Sequence, residues 1–326
     1  MHVLILGAAG MVGRKFAESL AAAPLGDGAL RLSLVDVVEP VAPAGFDGVA
    51  ETLAVDLSAP GEAERVLAGR PDLVVHLAAV VSGEAEADLE KGYRVNLDGT
   101  RALFDAIRLR HDRDGWTPRV IFASSNAVVG GDFPDVIPED YILTPQTSYG
   151  TQKVMGELLL ADYSRKGFFG GIGLRLPTIC VRPGKPNRAA SGFFSGIIRE
   201  PLVGQEAVLP VPDDTRHWMT SPRSAVGFLR HAATLELSRL GTRPNLSMPA
   251  LSVTVAEQIA ALEVVAGNRA TALIRREPDP AIARIVAGWA RAFDASRALS
   301  LGFTAETSFE QIIRAHIEDE LGGRVG

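Results

Sequence analysis

Short apolar runs separated by stretches of helical period set the rhythm of the first half of the chain. HVLILGA (2–8), LRLSLVD (30–36), ETLAVD (51–56), DLVVHLAA (72–79), RVIFASS (119–125) and GIGLRLPT (171–178) have the length and branched apolar content of buried strands. Between them FAESLAAAP, APGEAERVLAG, VNLDGTRALFDAIRLRHD and SYGTQKVMGELLLADYSRK suit helices. Strand alternating with helix predicts an α/β architecture, a doubly wound parallel sheet covered on both faces.

After about residue 180 the rhythm changes. VRPGKPNRAASG and LPVPDDTRHWMTSPRS are rich in Pro, Gly and polar residues and predict loops of a second lobe. LSVTVAEQIAALEVVAG reads as a strand followed by a helix, and TSFEQIIRAHIEDEL as a closing amphipathic helix with Ser308 near its cap. The terminal GGRVG predicts a frayed end. The expected division is 1–180, with later segments returning to it, and a smaller lobe made mainly of 181–326.

Composition narrows the function. With 47% apolar and 22% charged residues over 326 positions, the chain can bury a substantial core. A formal charge of -6 offers no basic footprint, so small molecules rather than nucleic acid are the expected partners. Cys180 is the one cysteine and has no internal disulfide partner, and MHVLILG lacks the charged leader and longer apolar region of a signal peptide. No apolar run approaches the ~18 residues of a membrane helix. The expectation is a soluble, cytoplasmic protein without membrane association. The six histidines show no metal-ligand spacing, and no metal is expected.

GAAGMVG carries the first chemistry, with Gly7, Gly10 and Gly13 between a strand and a helix. Gly7 permits the tight turn, Gly10 lets the backbone approach a pyrophosphate, and Gly13 lets the helix pack on the strand. Met11 and Val12 open that helix, whose unpaired N–H groups favour an anion. Asp36 ends the second strand 23 residues after Gly13, near the ~20 expected of the acid that holds an adenine ribose. Its carboxylate accepts from a 2'-hydroxyl and repels a 2'-phosphate, and Val37 and Val38 bring no adjacent cation, so NAD is favoured over NADP.

TSYGTQK places Tyr149 four residues before Lys153, on one helical face. With five lysines and four tyrosines in the chain, chance alone yields such a spacing with a probability of roughly 6%. Position therefore matters more than the count: the pair opens the helix after the fifth strand. A phenol with an unperturbed pKa of ~10 is a poor base unless a cation favours phenolate. Lys153 would supply that cation and bind the nicotinamide ribose, while Tyr149 takes the proton of a substrate alcohol whose carbon gives up hydride. Ser124 or Ser125, at the end of the preceding strand, would orient the alcohol.

In combination GAAGMVG, Asp36, VDLS (55–58), VVHLAAVVSG (74–83), VNLDGT (95–100), FASSNAVVG (122–130), SYGTQK and GLRLPTICVRPG (173–184) resemble the extended short-chain dehydrogenase/reductase superfamily, in its NAD-dependent epimerase/dehydratase branch. The resemblance covers about the first 185 residues. It implies a Rossmann-type NAD-binding domain at 1–180, a C-terminal substrate-binding lobe, and Tyr149, Lys153 and Ser125 as catalytic residues, with Ser124 the other reading. It further implies cofactor contacts at Asp56 and Leu57 near adenine, at Leu77, Ala78 and Ala79, and at Pro177 near the nicotinamide. Asn96 maps to a cofactor-side position that supports the active-site helix. A homodimer formed through the helices at 93–111 and 149–165 is also implied.

Departures from the branch bear on the substrate. Sugar-nucleotide dehydratases carry an Asp-Glu pair after the active-site Ser/Thr, where this chain has Asn126 and Ala127. Nucleotide-sugar epimerases carry an asparagine where this chain has Thr178, and a different stretch where it has TRHWMTSPRSAV (215–226). Those stretches, with HLAAVVSGEAEAD and ARAFDASRALSLGF, resemble the D-erythronate dehydrogenase group of the branch. That implies oxidation of the hydroxyl next to the carboxylate of a four-carbon sugar acid, giving the 2-keto acid and NADH. The alternative is an epimerase that keeps NAD bound. Arginine is the natural carboxylate clamp, and Arg182, Arg216 and Arg223 lie in the candidate substrate loops. Thr178 and His217 are further candidates for substrate contact. His217 and Trp218 equally suit packed loop anchors, and His76 suits a satisfied core histidine.

Overall fold

The computed structural model describes residues 1–26, 28–184 and 190–326. In chain order its first elements are β1 (His2–Leu6), α1 (Met11–Ala22), β2 (Arg31–Asp36), β3 (Val49–Ala54), α2 (Glu62–Val66), β4 (Leu73–His76), α3 (Ser82–Ala87) and α4 (Leu89–Gly92). A π-helical stretch, Tyr93–Asp98, leads into α5 (Gly99–Asp114), followed by β5 (Arg119–Ser125), α6 (Ser148–Arg165), β6 (Gly170–Leu176) and β7 (Thr178–Ile179). Then come α7 (Gly192–Leu202), β8 (Ala207–Leu209), β9 (Arg216–Thr220), α8 (Pro222–Thr234), β10 (Asn245–Ser247) and β11 (Leu251–Thr254). The chain closes with α9 (Val255–Ala266), α10 (Asn268–Thr271), β12 (Ile274–Arg276), α11 (Pro280–Ala287), α12 (Ser296–Ser300) and α13 (Phe309–Glu320).

These elements fall into two compact units. The first comprises Met1–Val128, Pro145–Arg175 and Val226–Leu246. Among the described residues its sheet has seven strands in the order β10-β6-β5-β4-β1-β2-β3, parallel at every pairing from β3 through β1 to β5. This is the Rossmann-type doubly wound arrangement, and its order reverses between β1 and β4. Strands buried on both faces need continuous apolar runs, and LVVH of β4 is buried at all four positions. Phe104, Phe122 and Phe169 fill the core under α5 and α6, with the rings of Phe104 and Phe169 5.0 Å apart. Helix α6 lies unusually close to the end of β5. A Cβ on Gly150 would stand 2.1 Å from the Ala127 carbonyl oxygen, and one on Gly156 2.6 Å from the Phe122 ring.

The second unit comprises Val129–Thr144, Leu176–Ala225 and Ser247–Gly326. Strand β9 pairs antiparallel with β11 and parallel with β7, and β12 pairs parallel with β8. Phe194, Ile197 and Ile198 of α7, Met219 of β9, and Phe309 and Ile312 of α13 share one apolar core.

Several elements differ from the sequence expectation. LPVPDDTRHWMTSPRS is not simply loop: Arg216–Thr220 forms β9, and the closing PRS starts α8. The polar letters of RHWMT conceal a strand because two neighbours satisfy its backbone and four of its five residues are buried. Within VRPGKPNRAASG, residues 185–189 lie outside the described residues, and Gly192 already begins α7. Ser308 stands at the N-cap of α13, but its hydroxyl makes no capping hydrogen bond. The terminal GGRVG is tied rather than frayed: the Gly323 N–H donates to Ile317 O and the Gly326 N–H to Leu202 O, both at 2.9 Å.

Candidate active site

The glycine turn sits at the reversal of strand order, where open α/β sheets bind ligands beyond the carboxyl ends of their strands. Gly7 has φ +89°, and a Cβ there would lie 2.7 Å from the Ala78 nitrogen, so β1 and β4 hand on to loops in direct backbone contact. Gly7 N–H donates to Val35 O at 2.8 Å, binding the turn to β2. A Cβ on Gly13 would stand 2.3 Å from the Gly7 carbonyl oxygen. Gly10 caps α1 without a side-chain acceptor, and Ala9 and Gly10 are exposed. The first turn of α1, with Met11 and Val12 half-buried, therefore presents N–H groups that no side chain caps, as a phosphate requires.

At the end of β2 the Asp36 carboxylate is held by two backbone donors, Ala9 N–H at 2.9 Å and Val37 N–H at 2.7 Å. Val37 and Val38 beside it are well exposed. Past β3, Leu57 is buried, and Asp56 accepts from the Ser58 hydroxyl at 2.6 Å, the Ser58 N–H at 3.0 Å and Arg94 Nη1 at 3.1 Å. The Ser58 hydroxyl foremost, with Arg94 adding to it, holds the Asp56 carboxyl below its usual range. These residues share the first unit with Leu77, Ala78 and Ala79, and together they fit a dinucleotide: bare helix N–H groups, glycines where a Cβ would clash, and an oriented carboxylate.

Asn96, on the π-helical stretch, is buried with its amide committed to the protein. It accepts from Val80 N–H at 2.8 Å and donates to Val80 O at 3.2 Å and Gln152 Oε1 at 2.8 Å. Its geometry is that of a brace between the segment after β4 and α6, not of an exposed cofactor contact. His76 lies beneath it. Thr100 gives its hydroxyl proton to Asn96 O at 2.8 Å, so His76 Nε2 is the donor in the 2.8 Å bond to Thr100 Oγ1. Nδ1 has no hydrogen-bond partner among the described residues. Only one of its ring nitrogens is satisfied, and burial pushes the imidazole down to about 3.

Tyr149 and Lys153 stand on the first turns of α6, which Thr147 caps by accepting from Gly150 N–H at 3.0 Å. Lys153 is buried, and its Nζ donates to Ala123 O at 2.7 Å and lies 5.6 Å from the centre of the Tyr149 ring. Burial pushes its pKa down to about 8, against the upward pull of Glu157. The two serines separate clearly. Ser124 is buried and donates to Glu157 Oε1 at 2.5 Å. Ser125 is half-buried, and its Oγ accepts from Ala127 N–H at 3.2 Å, leaving the hydroxyl proton for another acceptor.

Pro177, Thr178, Arg182 and His217 belong to the second unit. Pro177 is buried between β6 and β7. His217 Nε2 and Thr178 Oγ1 are hydrogen-bonded at 2.7 Å, while the imidazole stacks on Phe194 at 5.1 Å and 4°. Burial, with Arg182 nearby, pushes His217 down to about 3, and Nδ1 has no hydrogen-bond partner among the described residues. Trp218 Nε1 donates to Met248 O at 3.3 Å. Of the three candidate arginines, Arg223 is spent on Glu318 and Asp319, and Arg216 on Ser252 O and Glu257. The Arg182 guanidinium donates to Ile179 O at 3.0 Å and Ser191 Oγ at 2.9 Å. Glu157, Arg175 and the Thr178–His217 pairing were not singled out from sequence. The one available signal for Glu157 was its position four residues after Lys153 in KVMGE. Among the described residues no group of three or more His, Cys, Asp or Glu is placed to hold a metal, and no helix is long and apolar enough to cross a membrane.

Comparison with known proteins adds one family match and three similar proteins. Residues 3–221 match the NAD dependent epimerase/dehydratase family. The chain is 48% identical to a D-erythronate dehydrogenase of Cupriavidus necator, over 98% of both chains, and 40% identical to one of Haemophilus influenzae, over 98% of this chain and 100% of that one. It superposes with a TM-score of 0.98 and 62% identity on the crystal structure of the nucleoside-diphosphate-sugar epimerase from Agrobacterium tumefaciens, covering 100% of this chain and 96% of that one.

The buried imidazole of His217 makes stability depend on pH. In the unfolded chain it binds a proton below ~6.5, whereas the folded protein resists until about 3. Its stability contribution is therefore complete above pH 6.5 and is lost as pH falls, at up to about 1.4 kcal/mol per pH unit. Denaturant unfolding between pH 7 and 4 should give a shallower slope for His217→Gln than for wild type; parallel curves would contradict the buried neutral imidazole.

Proposed function

The chain belongs to the NAD dependent epimerase/dehydratase family, and from that premise we propose that it oxidises the C2 hydroxyl of D-erythronate to 2-dehydro-D-erythronate, with NAD as co-substrate. The observation that carries this reading is the near full-length identity to two D-erythronate dehydrogenases. Gly7, Gly10, Met11, Val12 and Gly13 hold the pyrophosphate, Asp36 the adenine ribose, and Asp56 and Leu57 the adenine. Leu77, Ala78 and Ala79 line the way to the nicotinamide ribose, which Lys153 binds, and Pro177 meets the nicotinamide. Asn96 acts from behind, as a brace.

NAD, when bound, supplies the hydride acceptor. The chain's own residues manage the proton. Ser125 donates its hydroxyl proton to the substrate oxygen and orients it, a role that Ser124 cannot share while bonded to Glu157. Tyr149, favoured as phenolate by the Lys153 ammonium, takes the C2 hydroxyl proton as the C2–H bond breaks. Burial leaves that ammonium poorly screened by water, so its effect on the phenol exceeds that of an exposed lysine. Thr178, Arg182 and His217 are the substrate-contact residues proposed from the second unit.

The similarity to a nucleoside-diphosphate-sugar epimerase favours a second reading, in which NAD stays bound and the hydride returns to the same sugar. Asn126, Ala127 and Thr178, where the sugar-nucleotide enzymes carry other residues, speak for the first. Incubation with NAD and D-erythronate should give sustained NADH formation. No NADH with any four-carbon acid, together with interconversion of a UDP-sugar, would establish the second reading instead. Tyr149→Phe should retain NAD binding and lose about 10²-fold or more in kcat; a near-normal rate would remove the phenol from the mechanism.

The protein is further proposed to work as a cytoplasmic homodimer through α5 and α6, where Leu109 and Leu158 are 51% and 62% exposed. Light scattering should return twice the 34.6 kDa chain mass, and a single-chain mass would contradict it.

A further inference from the structure

Beneath the Tyr149–Lys153 pair lies a buried charge cluster to which the proton chemistry assigns no part. Glu157 follows Lys153 by one turn of α6, and its side chain is 1% exposed. Three groups converge on it: the Ser124 hydroxyl at 2.5 Å, Arg175 Nε at 2.9 Å and Arg175 Nη2 at 2.8 Å. The Arg175 side chain on β6 is itself only 11% exposed. Lys153, 3% exposed, is bonded to Ala123 O, the residue before Ser124 on β5. Helix α6 is thus fastened to two consecutive residues of β5, once through the lysine and once through the glutamate.

The charges in this volume are unequal in character. A guanidinium holds its proton under all ordinary conditions, whereas an ammonium deprived of water gives its proton up. Removal of the Glu157 carboxylate would leave two buried cations, and the proton would come off Lys153. We propose that Glu157 is a positioning residue for the catalytic pair: clamped by Ser124 and Arg175, its carboxylate keeps the Lys153 ammonium charged and aimed along the end of β5. This rests on the reading of Tyr149 and Lys153 as the acid-base pair.

Other groups that face Lys153 do not take this part. His76 on β4, pushed down to about 3 by burial and by Lys153 itself, is neutral across the working range and brings no counter-charge. Tyr149 on α6 is the group to be activated. The faces of Phe122 and Tyr149, 4.9 Å and 5.6 Å from Nζ, offer cation–π attraction but no full negative charge.

The chain has five lysines, so its ammonium groups can be followed one by one with 13Cε-labelled lysine by NMR in the full-length protein without added ligand, the Lys153 signal being assigned through Lys153→Met. Wild-type Lys153 should titrate well below an ordinary lysine, near the value of about 8 that burial imposes. Glu157→Gln should lower the midpoint by about one pH unit or more, a tenfold loss of proton affinity. Ser124→Ala, which leaves the carboxylate and its arginine in place, should leave the midpoint within a few tenths of a pH unit of wild type. An unchanged midpoint in Glu157→Gln, or an equal shift in Ser124→Ala, would overturn the proposal. Should Glu157→Gln fail to fold, Arg175→Met removes the competing cation while the Ser124 hydroxyl stays on the carboxylate, and it should raise the midpoint; no rise would overturn it equally. The readout needs no turnover, so a wild-type protein that titrates as described yet makes no NADH from D-erythronate would sink the assigned function and spare the role of Glu157.

Discussion

The close approach of α6 to the end of β5 is the constraint on which the site depends. A lysine can reach the Ala123 carbonyl oxygen at 2.7 Å from inside the protein only because the helix carries no side chain where it meets Ala127 and Phe122. Gly150 and Gly156 create that proximity, at the entropic cost that glycine brings to a helix interior. The cost is offset by what the proximity secures: an ammonium shielded from water, beside a phenol on the same face. Shielding both strengthens the field at Tyr149 and weakens the lysine's hold on its proton, so a carboxylate one turn away becomes necessary rather than ornamental.

The same logic of dry polar groups recurs in the second unit. His217 is stacked on Phe194 and hydrogen-bonded to Thr178, and its burial keeps it neutral. A neutral imidazole beside a hydroxyl can exchange donor and acceptor roles without importing charge. His76 in the first unit is also buried and neutral, but it serves as ballast beneath Asn96 and Thr100.

Much of the architecture was legible in the sequence because its period and punctuation agreed. RVIFASS became β5 without a shift, and SYGTQK opened α6 behind a threonine cap. The family resemblance read from the glycine turn, Asp36 and the Tyr-Lys pair is borne out by the match over residues 3–221. Other features were illegible for physical reasons. RHWMT reads as polar and becomes a strand only through partners far away in the chain, β7 and β11. The family resemblance favoured Ser125 over Ser124, but the sequence does not show which hydroxyl is engaged: successive residues of a strand face opposite ways, and the Ser124 bond goes to Glu157 on another element. The ion pairs of Arg216 with Glu257 of α9 and of Arg223 with Glu318 of α13, exposed at the surface, could not be read from the sequence because their partners lie far along the chain.

In the proposed reaction a hydride leaves C2 of a sugar acid for NAD while Tyr149 takes the hydroxyl proton. D-erythronate carrying deuterium at C2 follows that hydride. Mass spectrometry of the nucleotide product should find one deuterium on the nicotinamide ring of each NADH formed. Deuterium returned to the sugar, or lost to water with no labelled NADH, would contradict it.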